Sequence, residues 1–206
     1  MGFYGDQVLP RALDLAMRGG EFAQVRSRVT AGLDGEVLEI GFGSGLNLPH
    51  YPATVRRVIA VDPGTGGRKL AARRAADGVP VEFRGRDAQA LPVADESVDH
   101  VVSTWTLCTI PDPGQALEEV YRVLRPGGTL RFAEHGLAPD PKVARFQHRL
   151  SPLQRRLVGG CQLDRPISDL ITGSGLELSH LDTYYLAWPR ALSYTFEGAA
   201  AKLVAA

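Results

Sequence analysis

Val37-Leu38-Glu39-Ile40-Gly41-Phe42-Gly43-Ser44-Gly45-Leu46-Asn47 carries the decision about fold. A short apolar run breaks into three glycines spaced G-x-G-x-G and heads toward an expected helix. Such a strand-to-glycine turn lets backbone amides approach a ligand closely. Two details narrow what that ligand is. A dinucleotide fingerprint needs Gly or Ala three residues after Gly43, where helix and strand close on a pyrophosphate. Leu46 stands there, and it is bulky. Glu39 precedes the first glycine by two residues, where a carboxylate repels a pyrophosphate and attracts a cation, directly or through water. A nicotinamide dehydrogenase is disfavoured on both counts.

Outward from this segment, short apolar runs recur at 58–61, 81–83, 98–106 and 129–133, with helix-like segments between them. Residues 67–76 are rich in Ala, Arg and Lys. Residues 113–124 put Ala116, Leu117, Val120, Val123 and Leu124 on one face, with Pro113 suited to a first helical turn. Strands alternating with helices of roughly 10–15 residues imply βαβ units and a mostly parallel sheet. The runs are continuously apolar rather than alternating, as strands buried on both faces are. Ahead of them, residues 7–30 read as two amphipathic helices broken at Gly19-Gly20. Behind them, 142–156 and 166–172 read as helices, 176–185 as extended and 191–204 as a closing strand. With no linker, charge run or internal repeat, the chain reads as one domain with an insert.

The 206 residues include 23 Lys+Arg against 23 Asp+Glu, and 44% are hydrophobic. That length suits one domain, and the apolar share excludes a disordered chain. Zero net charge counts against a nucleic-acid partner, because the phosphate backbone is normally met by a basic excess. A small, weakly charged partner is expected instead. Two cysteines, Cys108 and Cys161, are expected to make neither a disulfide framework nor a zinc site. No apolar run reaches the roughly 18 residues of a membrane span. The start, Met1-Gly2-Phe3-Tyr4, shows no signal peptide. A cytoplasmic protein without an integral membrane anchor is expected.

Asp62 ends the apolar run at 58–61, 21 residues after Gly41. In a doubly wound sheet it lies at the carboxyl edge beside the first turn, placed to bind both hydroxyls of a ribose. Asp87, in Gly85-Arg86-Asp87-Ala88-Gln89, follows the third strand at the same edge, where it can accept from an adenine amino group. Three carboxylates at one edge fit a ligand with an adenosine moiety and a cationic end. S-adenosyl-L-methionine, which carries a sulfonium and an ammonium, is such a ligand.

The segments V-L-E-I-G-F-G-S-G (37–45), V-I-A-V-D-P (58–63), R-D-A-Q-A-L-P (86–92), S-V-D-H-V-V-S-T-W-T-L-C (97–108) and R-V-L-R-P-G-G-T-L (122–130) resemble the class I S-adenosylmethionine-dependent methyltransferases in order and spacing. The resemblance implies an α/β fold: a doubly wound, mostly parallel seven-stranded Rossmann-like sheet with a carboxyl-terminal antiparallel strand. It divides one domain, 1–206, into an amino-terminal helical lid (1–30), a cofactor-binding core (36–135) and an acceptor side of helical insert and closing strands (136–206). By position, Glu39, Gly41, Gly43 and Gly45 correspond to the methionine-binding loop. Asp62 with Pro63 corresponds to the ribose site, and Asp87 with Ala88 to the adenine contacts. Thr104 and Trp105 fall near the sulfonium. L-C-T-I (107–110), Phe132-Ala133-Glu134-His135, 160–165 and 194–202 are further similar to the methyltransferase-like alkyl thiol methyltransferases, which implies a thiol acceptor. The animal members carry an amino-terminal membrane anchor that is not expected here.

Methyl transfer from a sulfonium is a direct displacement with an activated leaving group, so the protein chiefly aligns a nucleophile and excludes water. A thiol of pKa about 8.5 is partly ionised near neutrality, and a nearby histidine suffices as base. His135, at the end of the fifth strand, is the candidate, with Glu134 to orient it or to hold the acceptor. The plainer reading has Glu134 paired with an arginine and His135 capping a loop. Cys161 is a candidate on the substrate side, otherwise a small buried hydrophobe, and Cys108 reads as packing. Tyr4, Trp105, Tyr184, Tyr185 and Trp188 are aromatic groups suited to an apolar acceptor pocket, while each alone reads as core or interface. Phe3 and Tyr4 belong to the helix that lids the cofactor in the family resembled.

Asp99 reads as structural. His50, His148 and His180 lack ligand-like spacing, so no metal is expected. Arg145, Arg149, Arg155 and Arg156 read as a solvated helix face, with an acidic acceptor or a lipid surface as the second reading. A monomer or homodimer acting on a small-molecule methyl acceptor is expected. The alternatives are a quinone-precursor carbon or phospholipid amine as acceptor, or a non-catalytic S-adenosylmethionine-binding regulator.

Overall fold

The computed structural model describes residues 9–75, 78–186 and 189–204. Its strands are β1 (Gly35–Ile40), β2 (Val55–Val61), β3 (Val81–Phe83), β4 (Val98–Thr104), β5 (Leu124–His135), β6 (Glu177–Tyr185) and β7 (Tyr194–Ala201). They form one sheet in the order β3-β2-β1-β4-β5-β7-β6. β3, β2, β1, β4 and β5 run parallel, and β7 lies antiparallel to both β5 and β6. Successive residues of a strand face opposite sides. Val37 and Val58 therefore join one core with Val25, Val29 and Val102, while Leu38 and Ile59 join the other with Leu117, Leu130 and Phe132. Two cores, one per face, explain the unbroken hydrophobicity of these segments.

The helices are α1 (Leu9–Met17), α2 (Gly20–Thr30), α3 (Arg68–Ala75), α4 (Pro113–Val123), α5 (Pro141–Leu157) and α6 (Ile167–Gly173). Two of them start by the same device. Asp112 accepts from the Gln115 amide and Asp140 from the Lys142 amide, each with proline at the first helical position. The aspartate satisfies a donor the first turn leaves open, and proline has none to lose there. α4 buries Ala116, Leu117, Val120 and Val123, one stripe at helical spacing.

Three local expectations are corrected. No α-helix follows the glycine turn; the chain makes only a 3₁₀ turn at Leu48–His50. Pro52 forces its predecessor out of the helical region, and Tyr51 is extended at φ −66°, ψ 130°. β5 starts at Leu124 rather than 129, because the R-P-G-G stretch is a bulge inside it: Val98 pairs with Leu124, then His100 with Thr129. β4 stops at Thr104, where Trp105 turns to φ +51°. That is a rare conformation for a side-chain-bearing residue.

Strand order reverses between β1 and β4, so the chains leaving their carboxyl ends diverge and open a crevice there. Gly41 makes the turn into it at φ +72°, and a Cβ would fall 1.9 Å from Thr106 Oγ1. Only glycine fits. At the opposite edge Asp99 ties three strands together: it accepts from the Glu36 amide of β1 at 2.7 Å and pairs with Arg56 of β2 and Arg125 of β5. Burial works against its ionised form, but the Glu36 amide and Arg125 outweigh this and hold the carboxyl below its ordinary value. Asp99→Ala is expected to lower unfolding free energy by about 1–2 kcal/mol in urea titration, and Asp99→Asn by less. Since the folded state favours the carboxylate, this contribution is present above about pH 4 and is lost as the pH falls further.

Candidate active site

The crevice holds a cavity of about 230 Å³, walled by β1, the glycine turn, the end of β4, α2 and α1. Glu39 reaches it from β1 and is only 2% exposed. Its Oε1 accepts from Asn47 Nδ2 at 3.0 Å and its Oε2 from the Tyr51 hydroxyl at 2.6 Å. Burial pushes its carboxyl up to about 7, against the pull of Tyr51, Arg26 and Asn47. Arg26, buried on α2, donates at 3.0 Å to both Asn47 Oδ1 and Thr104 Oγ1 and lies 4.7 Å over the Trp105 ring. Burial lowers it to about 10, so it stays charged at neutral pH. Its Nε and the indole Nε1 of Trp105 are buried with no partner among the described residues. Buried donors are rarely left so, and a ligand with acceptor groups would satisfy them.

Asp62 faces the same cavity and accepts from the amides of Gly43 and Gly64, both at 2.7 Å. It thereby pins the glycine turn to the end of β2, and its burial raises the carboxyl despite those two amides. The third carboxylate on the cavity is Asp14 of α1, not Asp87. Asp14 accepts from Ser44 Oγ at 2.6 Å and pairs with Arg74 at 2.8 Å, tying α1 to the turn. Asp87 lies on an exposed turn beyond the three-residue β3, where it accepts from the Gln89 amide at 2.9 Å. Pro63 is exposed too, with its carbonyl taken by Arg86, and Ala88 packs against the core. Gly41, Gly43, Thr104 and Trp105 line the cavity; Gly45 is buried against Leu48 and Ala71.

At the end of β5 the two candidate acid–base residues part company. Glu134 is fully buried, and its carboxylate accepts from Ser103 Oγ at 2.6 Å and from the amides of Thr106 at 3.0 Å and Cys108 at 3.3 Å. It neither pairs with an arginine nor bonds to His135; it clamps the turn after β4. Arg165 holds the same turn by its carbonyls, donating to Leu107 and Ile110.

His135, half-buried, has its ring 6.3 Å from that of Trp105 and its Nδ1 4.0 Å from Cys161 Sγ. Cys161 Sγ is in turn 3.6 Å from Cys108 Sγ. Cys108 and His135 together lower the Cys161 thiol, while Cys161 and burial push Cys108 up. Cys161, the substrate-side candidate, and Cys108, read as packing, are therefore neighbours, and the three ligand-type atoms lie within 4.8 Å of one another. Spacing could not reveal this, because Cys108 follows β4, His135 ends β5 and Cys161 follows α5, and they meet only through topology.

The other aromatic candidates do not converge with Trp105. The Tyr184 hydroxyl is bonded to Glu197 and Arg28, and Tyr185 packs on Tyr194 beneath Arg190. Phe3, Tyr4 and Trp188 lie outside the described residues. His50, His148 and His180 contact Ser27, Asp164 and Asp182, and Arg145, Arg149, Arg155 and Arg156 are exposed. Sequence reasoning missed Arg26, Asn47 and Asp14. A signal existed for Arg26: it shares the buried face of α2 with Val25, Val29 and Thr30.

Residues 38–132 match the methyltransferase domain family. Over 193 residues the chain is 32% identical to a thiol S-methyltransferase of Homo sapiens, covering 90% of this chain and 76% of that protein. A thiol S-methyltransferase of Rattus norvegicus is 31% identical over 174 residues, covering 81% and 68%. Among solved structures, an S-adenosylmethionine-dependent methyltransferase from Methanosarcina mazei has the same fold, with a TM-score of 0.67 and 24% identity over 86% of this chain and 97% of that one. The chain belongs to the class I S-adenosylmethionine-dependent methyltransferases and is similar over most of its length to the thiol S-methyltransferases.

Proposed function

We propose that the acceptor of this methyltransferase is a small-molecule thiol, methylated at sulfur. The observation that carries this reading is the likeness to thiol S-methyltransferases across 90% of the chain. S-adenosylmethionine supplies a methyl group already activated on a sulfonium. The chain's residues fit that cosubstrate: Glu39 offers a buried carboxylate to its cationic groups, and Arg26 with its unpartnered Nε suits its carboxylate. Asp62 is proposed to accept from the ribose hydroxyls. Gly41, Gly43 and Gly45 let the turn come close, Thr104 and Trp105 support the sulfonium end, and Pro63, Asp87 and Ala88 border the adenine on the open side.

α1, with Leu13 and Met17 on the cavity, is proposed as a lid that excludes water. His135 is the titratable group on the acceptor side, one ring beyond Trp105, and takes the thiol proton or holds the sulfur in line. Glu134 acts through the turn it clamps, as a positioning residue. Two buried, unjoined thiols suit a reducing compartment, so the cytoplasm is the proposed site of action. A balanced 23 against 23 charges suits a small, diffusible acceptor rather than nucleic acid, and a monomer or homodimer suffices.

Incubation with S-adenosylmethionine and a panel of alkyl thiols, amines, phenols and quinone precursors is expected to give methyl thioethers. Transfer only to a nitrogen, oxygen or carbon acceptor would overturn the thiol reading. In calorimetry, Asp62→Ala is expected to weaken S-adenosylmethionine binding at least about tenfold, the loss of charge-assisted hydrogen bonds. Affinity has a predictable pH dependence as well. With Glu39 held up to about 7, its ionised share rises from about a tenth at pH 6 to about nine-tenths at pH 8. A cationic ligand prefers the carboxylate, so binding should tighten about tenfold over that interval. Glu39→Gln should bind more weakly and with a flat profile.

A further inference from the structure

Cys108, His135 and Cys161 bring two sulfurs and a ring nitrogen within 4.8 Å of one another, with the His135 ring 6.3 Å from that of Trp105 on the cavity wall. Zinc bonds sulfur at about 2.3 Å and imidazole nitrogen at about 2.0 Å, so a tetrahedral site needs about 3.8 Å between sulfurs and about 3.6 Å from sulfur to nitrogen. The separations here are 3.6 Å between the sulfurs and 4.0 Å from Cys161 Sγ to His135 Nδ1. Two thiolates and a neutral imidazole form a set that selects zinc over harder cations, and they cancel its charge. A disulfide would use the two sulfurs and leave the histidine without a purpose at that point.

The frame around the three groups is rigid. Glu134 holds the Cys108 amide, and the Cys108 carbonyl accepts from the Gln162 amide at 2.8 Å, joining the two cysteine loops. Gly160, at φ +97°, lies so close to the Thr109 carbonyl that a Cβ would be 2.9 Å from it. Gln154 Nε2 lies 3.9 Å from Cys161 Sγ, a donor directed at that sulfur. Ligands fixed in this way are preorganised before any ion arrives.

We propose that Cys108, His135 and Cys161 hold a zinc ion whose fourth coordination position takes the sulfur of the acceptor. This rests on the thiol reading for the identity of the fourth ligand, though not for the ion itself. As the acceptor binds, a sulfur–zinc bond forms, the S–H bond breaks and the proton leaves to water. A lone pair of that sulfur then forms the new S–CH₃ bond while the methyl–sulfonium bond breaks, its electron pair remaining on the departing sulfur. The product thioether is neutral, a poor ligand for zinc, and dissociates. His135 then has the second of its two proposed roles, holding the sulfur in line through the ion, and a bound thiol is ionised at neutral pH without a base.

The test uses the full chain, loaded with zinc, desalted and analysed by plasma mass spectrometry. About one zinc per chain is expected, with affinity reduced at least about 100-fold in Cys161→Ala. Because loss of a buried thiol can unfold the chain, a second measurement uses the wild type. Cobalt(II) in place of zinc should give thiolate-to-metal absorption that grows when ethanethiol is added as a third sulfur. Removing the ion should slow methylation of a cysteine-type thiol, of pKa about 8.5, by about 30-fold at pH 7, the factor by which it is un-ionised there, and zinc should restore the rate. A metal-free wild type that methylates ethanethiol at full rate, or a Cys108–Cys161 disulfide in the active protein, overturns the zinc site and leaves the thiol reading standing. Stoichiometric zinc in a protein that methylates amines or phenols but no thiol overturns the thiol reading, and with it the role given to the fourth position.

Discussion

A carboxylate cut off from water, Glu134, decides the geometry of this site. Removing an ion of that kind from solvent costs several kcal/mol unless hydrogen bonds replace its hydration. Ser103 Oγ and the amides of Thr106 and Cys108 supply them, at distances of 2.6–3.3 Å. Meeting that demand forces the chain to turn directly after β4, through the left-handed Trp105. One side of the turn presents Thr104 and Trp105 to the cavity, and the other presents Cys108 to Cys161 and His135. The cavity wall and the Cys108–Cys161–His135 cluster are thus joined through one buried carboxyl group, with Arg165 completing the clamp from the carbonyl side.

A net charge of zero conceals strong local asymmetry. Glu39, Asp62 and Asp14 border the cavity, with Arg26 buried among them and Arg74 behind Asp14. In that enclosed space charges interact more strongly than on the surface. A ligand that carries both signs matches this pattern better than a simple cation or anion. The buried arginine was the element that a count of charges could not locate.

The parallel strands were legible because burial on both faces removes polar residues from them, leaving runs such as Val58-Ile59-Ala60-Val61. Glu39, Asp62 and the glycines were legible because a turn at a strand's carboxyl end must place them at the crevice. Asp87 follows a strand only three residues long and lies on an exposed turn outside the cavity, where the same rule gives less guidance. The helix expected after Gly45 fails because Pro52 acts on a segment whose local spacing otherwise allows one. Glu134 beside His135 looked like a catalytic pair in sequence, yet adjacent residues of a strand face opposite sides. The cysteine–histidine cluster arises from contacts between segments far apart in the chain, which no local pattern records.

β7 follows β6 in the chain but lies between β5 and β6 in the sheet. Until it is in place, β5 has an open edge from Thr129 to His135, and β6 has nothing to pair with. During synthesis, the β1–β5 half can assemble while this edge stays unpaired, and exposed strand edges invite association with other chains. Pairing of Tyr194–Ala201 with both neighbours therefore closes the sheet. A chain lacking this one strand keeps two unpaired edges and an adhesive sheet, so its pairing bears on the yield of folded protein.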